Sequence, residues 1–303
     1  MKSVLSKRSP GWRRAFRFSP ALFLSVLFAS PALADTAPGA EAAAVAKTGA
    51  GSGSGAGDVD LSYKVYVGGF QVGALKIDLD LAARNYDIAA KVSTTGLVGR
   101  MFPWWMEAYS RGAIVSAGVM PVSAGQRNNW RGRDRFIDLK FSDGIARIDR
   151  IAPKPESDDR DRVPETMRTG VVDLASAIVS IIRRMDGNKP CRAEIPVFDG
   201  RRRYDLVTRP DGGEKLRPNG YTPFVGETVN CLVSIRKKAG FKKNDESGWN
   251  DKDRSARVWM GKAFAEVPPV PVRLTLDTPF GALIAHLSAA EYQSGGDRIK
   301  LGQ

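Results

Sequence analysis

Apolar and polar residues alternate with a period of two over much of this chain. Leu61, Tyr63, Val65 and Val67 alternate with Ser62, Lys64 and Tyr66. Leu75, Ile77, Leu79 and Leu81 alternate with Lys76, Asp78 and Asp80, and Tyr86, Ile88, Ala90 and Val92 make a third series. Such alternation sets one strand face on a core and the other in water. Gly68-Gly69 and Arg84-Asn85 separate the runs as turn signals, so an antiparallel meander is predicted. Residues 107–115 read as another strand, Gly118-Val119-Met120-Pro121 as a turn, and residues 121–126 as a resumption of the sheet. The stretch 127–133 reads as a basic turn. Ile137, Leu139 and Phe141 then share a face, and Asp143-Gly144 is a hairpin signal leading into 145–151. Residues 152–164, charged and proline-rich, read as a loop.

One segment changes period. Leu174, Ala177, Ile178, Ile181 and Met185 recur at helical spacing. Asp173 is placed to cap the N-terminus through the Ser176 amide, Arg183 and Arg184 suit the C-terminal end of the dipole, and Gly187 suits the stop. A single amphipathic helix among strands is expected to pack on a sheet. Strands resume at 193–198 and 201–208 around Asp199-Gly200, then at 228–236, 257–260, 272–276 and 282–287, with Pro210-Asp211-Gly212-Gly213 as a turn. The fold class expected is mainly β: a curved antiparallel sheet or open barrel-like domain with one packed helix. It spans residues 58–293 and is followed by a tail, 294–303.

One segment fits neither period. Leu97, Val98, Met101, Phe102, Trp104, Trp105 and Met106 crowd a short stretch that Pro103 interrupts. Two adjacent tryptophans do not both face inward on a strand. Leu97, Met101, Phe102, Trp104 and Trp105 are therefore expected to line a ligand site or form an apolar lid at one end of the sheet, with a core plug as the alternative.

The N-terminus sets the expected compartment. Lys2, Lys7, Arg8, Arg13, Arg14 and Arg17 precede the apolar run 21–29 and the small residues Ala32-Leu33-Ala34. This is the pattern of a secretory signal peptide, with cleavage expected after Ala34 and the periplasm as destination. The apolar run is well short of the roughly 20 residues of a spanning helix. Arg13-Arg14 also resembles a twin-arginine signal. Residues 35–57, rich in Ala, Gly and Ser, read as a flexible linker.

Residues 1–34 hold six bases and no acid, which leaves +7 of the chain's +13 on the exported part. A basic surface in that compartment favours anionic partners, a membrane surface or an envelope protein, over nucleic acid. Two clusters stand out: Arg127, Arg131 and Arg133, and Arg201 with Arg203. They read either as solvated faces or as contacts for anionic head groups. Cys191 and Cys231 are the only cysteines, and in an oxidising compartment they are expected to form a disulfide.

Candidate chemistry is sparse. The one histidine, His286, lies in a strand pattern with no nucleophile motif beside it, and Asp78 and Asp80 alternate with apolar residues as a solvated face does. No G-x-S-x-G, H-E-x-x-H or phosphate-loop sequence occurs, and two cysteines with one histidine do not make a zinc site. The expectation is a non-enzymatic protein without metal or cofactor. It would bind a lipid or other apolar ligand, or else act as a structural or chaperone-like module on an envelope protein. A hydrolase with an unrecognised site ranks last.

Several pieces in order resemble a family of exported bacterial proteins, domain of unknown function 3108. They are residues 63–73 (YKVYVGGFQVG), Thr95-Gly96-Leu97, Ser110-Arg111-Gly112, Gly118-Val119-Met120-Pro121, Val172-Asp173-Leu174, residues 197–201 (VFDGR), Pro271-Val272-Arg273 and Phe280-Gly281. The resemblance covers most of residues 60–290. It implies a β-rich envelope protein and carries no established reaction or catalytic residues.

Overall fold

A computed structural model describes residues 57–302, apart from 117, 131, 155–159, 187–189, 243–254 and 279–280. The expected signal segment, and the linker save its last residue, lie outside these. Fourteen strands form one antiparallel sheet. They are β1 (Asp58–Val67), β2 (Phe70–Leu81), β3 (Asn85–Thr94), β4 (Trp104–Val115), β5 (Gly118–Trp130), β6 (Arg133–Ser142), β7 (Ile145–Ala152), β8 (Ala193–Phe198), β9 (Arg203–Leu216), β10 (Gly226–Ala239), β11 (Ser255–Gly261), β12 (Val270–Thr278), β13 (Gly281–Ser294) and β14 (Asp297–Leu301). The helices are α1 (Gly96–Met101) and α2 (Leu174–Asp186).

The strand order is β7-β6-β5-β4-β3-β2-β1-β13-β12-β11-β10-β9-β8, with β14 off this path on β13. Thirteen strands thus curl into a nearly closed barrel whose free edges are β7 and β8. The segment between β7 and α2 straps that gap. Thr169 bridges to Ile145 on β7 and Val172 to Val197 on β8. Phe198, fully buried, packs there with Ile137, Leu139, Ala146, Val163 and Val171. Gly200 has φ +89°, and a Cβ there would collide with Ile137 on the facing strand. The backbone bridges of the strap and packed side chains, rather than a β7–β8 ladder, close the barrel.

The alternation of β1 works as read: Val59, Leu61, Tyr63, Val65 and Val67 all point inward. Helix α2 lies in the concavity, where Ala177, Val179, Ile181, Ile182 and Met185 share one core with Val59, Leu61, Leu79, Tyr86, Phe224 and Val270. Its start is fixed by a buried polar network. Asp173 accepts from the Ser176 amide at 3.0 Å and from the Ser110 hydroxyl at 2.9 Å, while the Tyr86 and Ser176 hydroxyls lie 2.7 Å apart. Burial pushes the Asp173 carboxyl above its ordinary value, and the hydrogen bonds from Ser176 and Ser110 offset part of that. Beyond the helix, Cys191 is bonded to Cys231 of β10, with Cα atoms 6.2 Å apart.

Several expectations are corrected. The residues 118–121, read as a turn, open β5, and 210–213, also read as a turn, run within β9. The physical reason is shared. Pro121, Pro210 and Pro271 each sit beside a register shift, in the β4–β5, β9–β10 and β11–β12 ladders. A proline without an N–H is accommodated where a bulge already interrupts pairing. Pro196 lies on the edge strand β8, the other place a ladder tolerates it. Residues 127–133 are not one turn, since Arg127 belongs to β5 and Arg133 to β6. The expected tail carries β14, whose backbone pairs with Ala290–Ser294 of β13.

Candidate functional site

The two ends of the barrel differ. At one, α2 fills the interior, and the β4–β5 turn reaches it where Gly118 faces the Ser180 hydroxyl. At the other, the β1–β2 turn and the β3–β4 connection meet. The Thr95 amide donates to the Val72 carbonyl at 3.0 Å, and Gln71 Nε2 donates to Thr95 Oγ1 at 3.4 Å. This second end is the mouth of the barrel.

The apolar segment is ordered there, not irregular. Residues 96–101 form α1, and Trp104 and Trp105 already belong to β4. Thr94 explains the recovery of the ladder across Pro103. Its hydroxyl donates to the Phe102 carbonyl at 2.9 Å and accepts from the Trp104 amide at 3.0 Å. The five residues expected to line a site therefore separate. Leu97 and Met101 stand on the rim, 72% and 62% exposed. Phe102 is half-buried. Trp104 shares the inner face of β4 with buried Met106, whereas Trp105 lies opposite Ser93 and Asn129 on the outer face.

Below the rim, the inner wall is apolar and incompletely covered. Register places Leu75 opposite Tyr63 and Val92, and Leu283 opposite Val67 and Leu276. Leu274 lies opposite Ala285. All face inward, yet Leu75, Val92, Leu274 and Leu283 remain only half-buried. Around α2, by contrast, Val179, Val197 and Leu287 are fully buried. An open apolar lining of this kind suits an apolar or amphipathic ligand.

The second basic cluster is built into the fold. Arg203 donates to the Tyr204 carbonyl at 2.6 Å and to Asp205 at 2.7 Å. Burial works against the Asp205 carboxylate, but Arg203 and Lys238 hold it below its ordinary value. Arg201 donates to the Pro153 carbonyl at 2.6 Å, and Asp199 ties the hairpin by accepting the Arg201 and Arg202 amides at 3.0 and 2.7 Å. The Arg201–Arg203 run thus builds a turn. Arg127 is half-buried on β5, Arg133 is exposed at the start of β6, and Arg131 lies outside the described residues.

His286 is buried, stacked on Tyr221 at 5.3 Å and edge-on to Tyr66 at 6.1 Å. Burial, and secondarily Arg273, lowers its pKa. Asp78 and Asp80 are exposed, as the alternation indicates. Among the described residues, no cluster of three or more His, Cys, Asp or Glu forms a metal set.

Sequence reasoning missed Phe70, which is 78% exposed beside the rim. The signal was present: Gly68-Gly69 ends β1, and an aromatic follows at once where a turn would carry polar residues. Both glycines have positive φ, +56° and +84°, which presents Phe70 at the tip of a tight hairpin.

The sequence model of the family described as "Protein of unknown function (DUF3108)" matches residues 62–288. No curated protein matches the chain. Among solved structures, a beta-barrel-like protein of domain of unknown function DUF1849 from Brucella abortus is similar over 78% of this chain and 98% of that one. The identity is 8% and the TM-score 0.49.

Proposed function

We propose, for a chain that belongs to the DUF3108 family, a binding function in the periplasm: the mouth of the barrel takes up an apolar or amphipathic ligand such as a lipid. The observation that carries this reading is the asymmetry of the interior. Val92, Leu274 and Leu283 face inward and stay only partly buried, outside the core that α2 completes. Open apolar surface of this kind gains free energy when covered, at about 25 cal/mol per Å² removed from water. The buried polar groups at the start of α2, Asp173, Ser110, Ser176 and Tyr86, are engaged with one another. That arrangement supports binding rather than catalysis. The signal-peptide pattern of residues 1–34 supports the compartment.

The test separates the two tryptophans. Trp104 faces in and Trp105 faces out, so Trp104→Ala should weaken uptake of a hydrophobic dye or a fluorescent fatty acid about tenfold. Trp105→Ala should leave it within about twofold. Equal losses in both variants, or loss in neither, would remove the inner wall as the binding surface. Mass spectrometry of the protein purified without detergent should find a co-purifying lipid.

A further inference from the structure

The rim is apolar where a free surface would be polar. Helix α1 seats on the end of β3 because Gly99 has no side chain: a Cβ there would lie 2.8 Å from the Thr94 carbonyl oxygen. That seating, with half-buried Val98 beside it, turns the opposite face outward. The outward face holds Leu97, Arg100 and Met101, at spacings of three and four residues that share one side of a helix. Phe70 projects from the neighbouring hairpin. Three large apolar side chains, each 62–78% exposed, therefore stand at one end of the barrel around an exposed arginine.

The charged residue of the rim itself is Arg100, which is exposed. Residues 64–77 and 88–106, which build this rim and the strand ends beneath it, contain Lys64, Lys76, Lys91 and Arg100 and no acid. Lys91 is matched by Glu107 at 2.7 Å. Apolar tips with a basic residue among them match the interface of a bilayer. Leucine, methionine and phenylalanine enter the acyl boundary there, and arginine meets the phosphate layer.

We infer that the rim formed by Phe70, Leu97, Arg100 and Met101 docks the mouth of the barrel onto an anionic lipid bilayer. This deepens the reading of the mouth as a lipid-binding opening, because a ligand drawn from a membrane enters where the barrel meets it. The rim itself binds the bilayer surface. The inner wall, with Trp104, holds the ligand.

The experiment is vesicle co-sedimentation of the protein as purified from cells. One set of vesicles is phosphatidylcholine alone, the other contains about a third phosphatidylglycerol, both near 0.1 M salt, where charge attraction acts over about 10 Å. The unaltered protein is expected to sediment with the anionic vesicles and much less with the neutral ones. Arg100→Glu should reduce the bound fraction at least about tenfold, as reversal of a charge near the surface implies. The variant F70S/L97S/M101S should abolish binding. Melting curves report whether that variant folds; if it does not, Phe70→Ser alone serves, since Phe70 is 78% exposed. Trp104→Ala should keep vesicle binding while losing dye uptake, so failure of docking and failure of ligand binding show as different patterns. Absence of vesicle binding overturns the inference. So does equal binding by Arg100→Glu, or by the folded triple variant. Vesicle-free capture of a protein that depends on Phe70 and Leu97 overturns it as well, and assigns the rim to a protein partner.

Discussion

The end of the barrel that holds α2 and the end that carries α1 are made from the same alternating strands. They differ in what the helix contributes. Helix α2 has thirteen residues and buries Ser176, Ala177, Val179, Ile181, Ile182 and Met185, and a hydrogen-bonded cap fixes its start. Helix α1 has six residues and buries none. A six-residue helix is too short to hold itself together in water. It persists through the Thr95–Val72 hydrogen bond and the close seat at Gly99. One helix therefore holds the structure together. The other leaves Leu97 and Met101 exposed, and it is this surplus apolar exposure that the proposed docking would use.

If that contrast is right, damage should be graded from the α2 end to the mouth. The largest effect is expected at the Cys191–Cys231 bond, which closes a separation of 40 residues and ties the chain after α2 to β10. Replacing both cysteines with serine should lower unfolding free energy by about 4 kcal/mol on the chain-entropy account. The denaturant midpoint measures it, and the unreduced, denatured protein should titrate no free thiol. Next comes the core face of α2. Ile182→Ala should cost about 3 kcal/mol, because Ile182 is 2% exposed and packs in the core around α2. A loss under about 1 kcal/mol at Ile182 would mean that the two ends are alike after all.

A third prediction concerns pH. Burial and Arg273 lower the His286 pKa, so the folded protein disfavours the imidazolium. The unfolded chain binds that proton near its ordinary value of 6.5. Stability from this source is thus complete above about 6.5 and is lost as pH falls from there toward the depressed folded value. Replacing His286 with Gln should flatten the midpoint between pH 7 and pH 5. An unchanged slope would place the titration elsewhere. Lys64 stands across the strand on one side and Arg273 on the other, while Tyr66 and Tyr221 pack on the ring. No carboxylate among these neighbours offsets the cost of protonation.

The contrast between the ends also explains what the sequence could tell. Segments that bury a face wrote it into their period: β1 to β3, α2 with its Asp173 cap, and the Asp143-Gly144 hairpin, where both residues take positive φ. Segments held mainly by pairing with a neighbouring strand did not. Along Arg209–Lys215 most side chains are exposed, and pairing with β10, including the Thr228 hydroxyl on the Glu214 carbonyl at 2.8 Å, carries the strand through Pro-Asp-Gly-Gly. Local turn chemistry lost there to ladder hydrogen bonds that no single-strand pattern displays. At the mouth, composition singled out Leu97 to Trp105, which fold as α1 and the start of β4. Which of them face inward depends on the Val92–Met106 register, and Phe70 joins them only because the β1–β2 hairpin ends beside α1.

The smallest stability effect is the most discriminating. Phe70→Ser and Leu97→Ser remove large apolar groups, and in a core each such change would cost several kcal/mol. Here each side chain is more than two-thirds exposed. The folded state covers little of it, and the transfer free energy lost is correspondingly small. Each change should move unfolding free energy by no more than about 0.5 kcal/mol, and it need not be unfavourable, since serine is better hydrated than what it replaces. Chemical denaturation of the two variants beside Ile182→Ala provides the comparison in one assay. A loss above about 1.5 kcal/mol at Phe70 or Leu97 would show that the rim is folded against the chain itself. The mouth would then be a second core like the α2 end, with no apolar surface left to meet a membrane or a ligand.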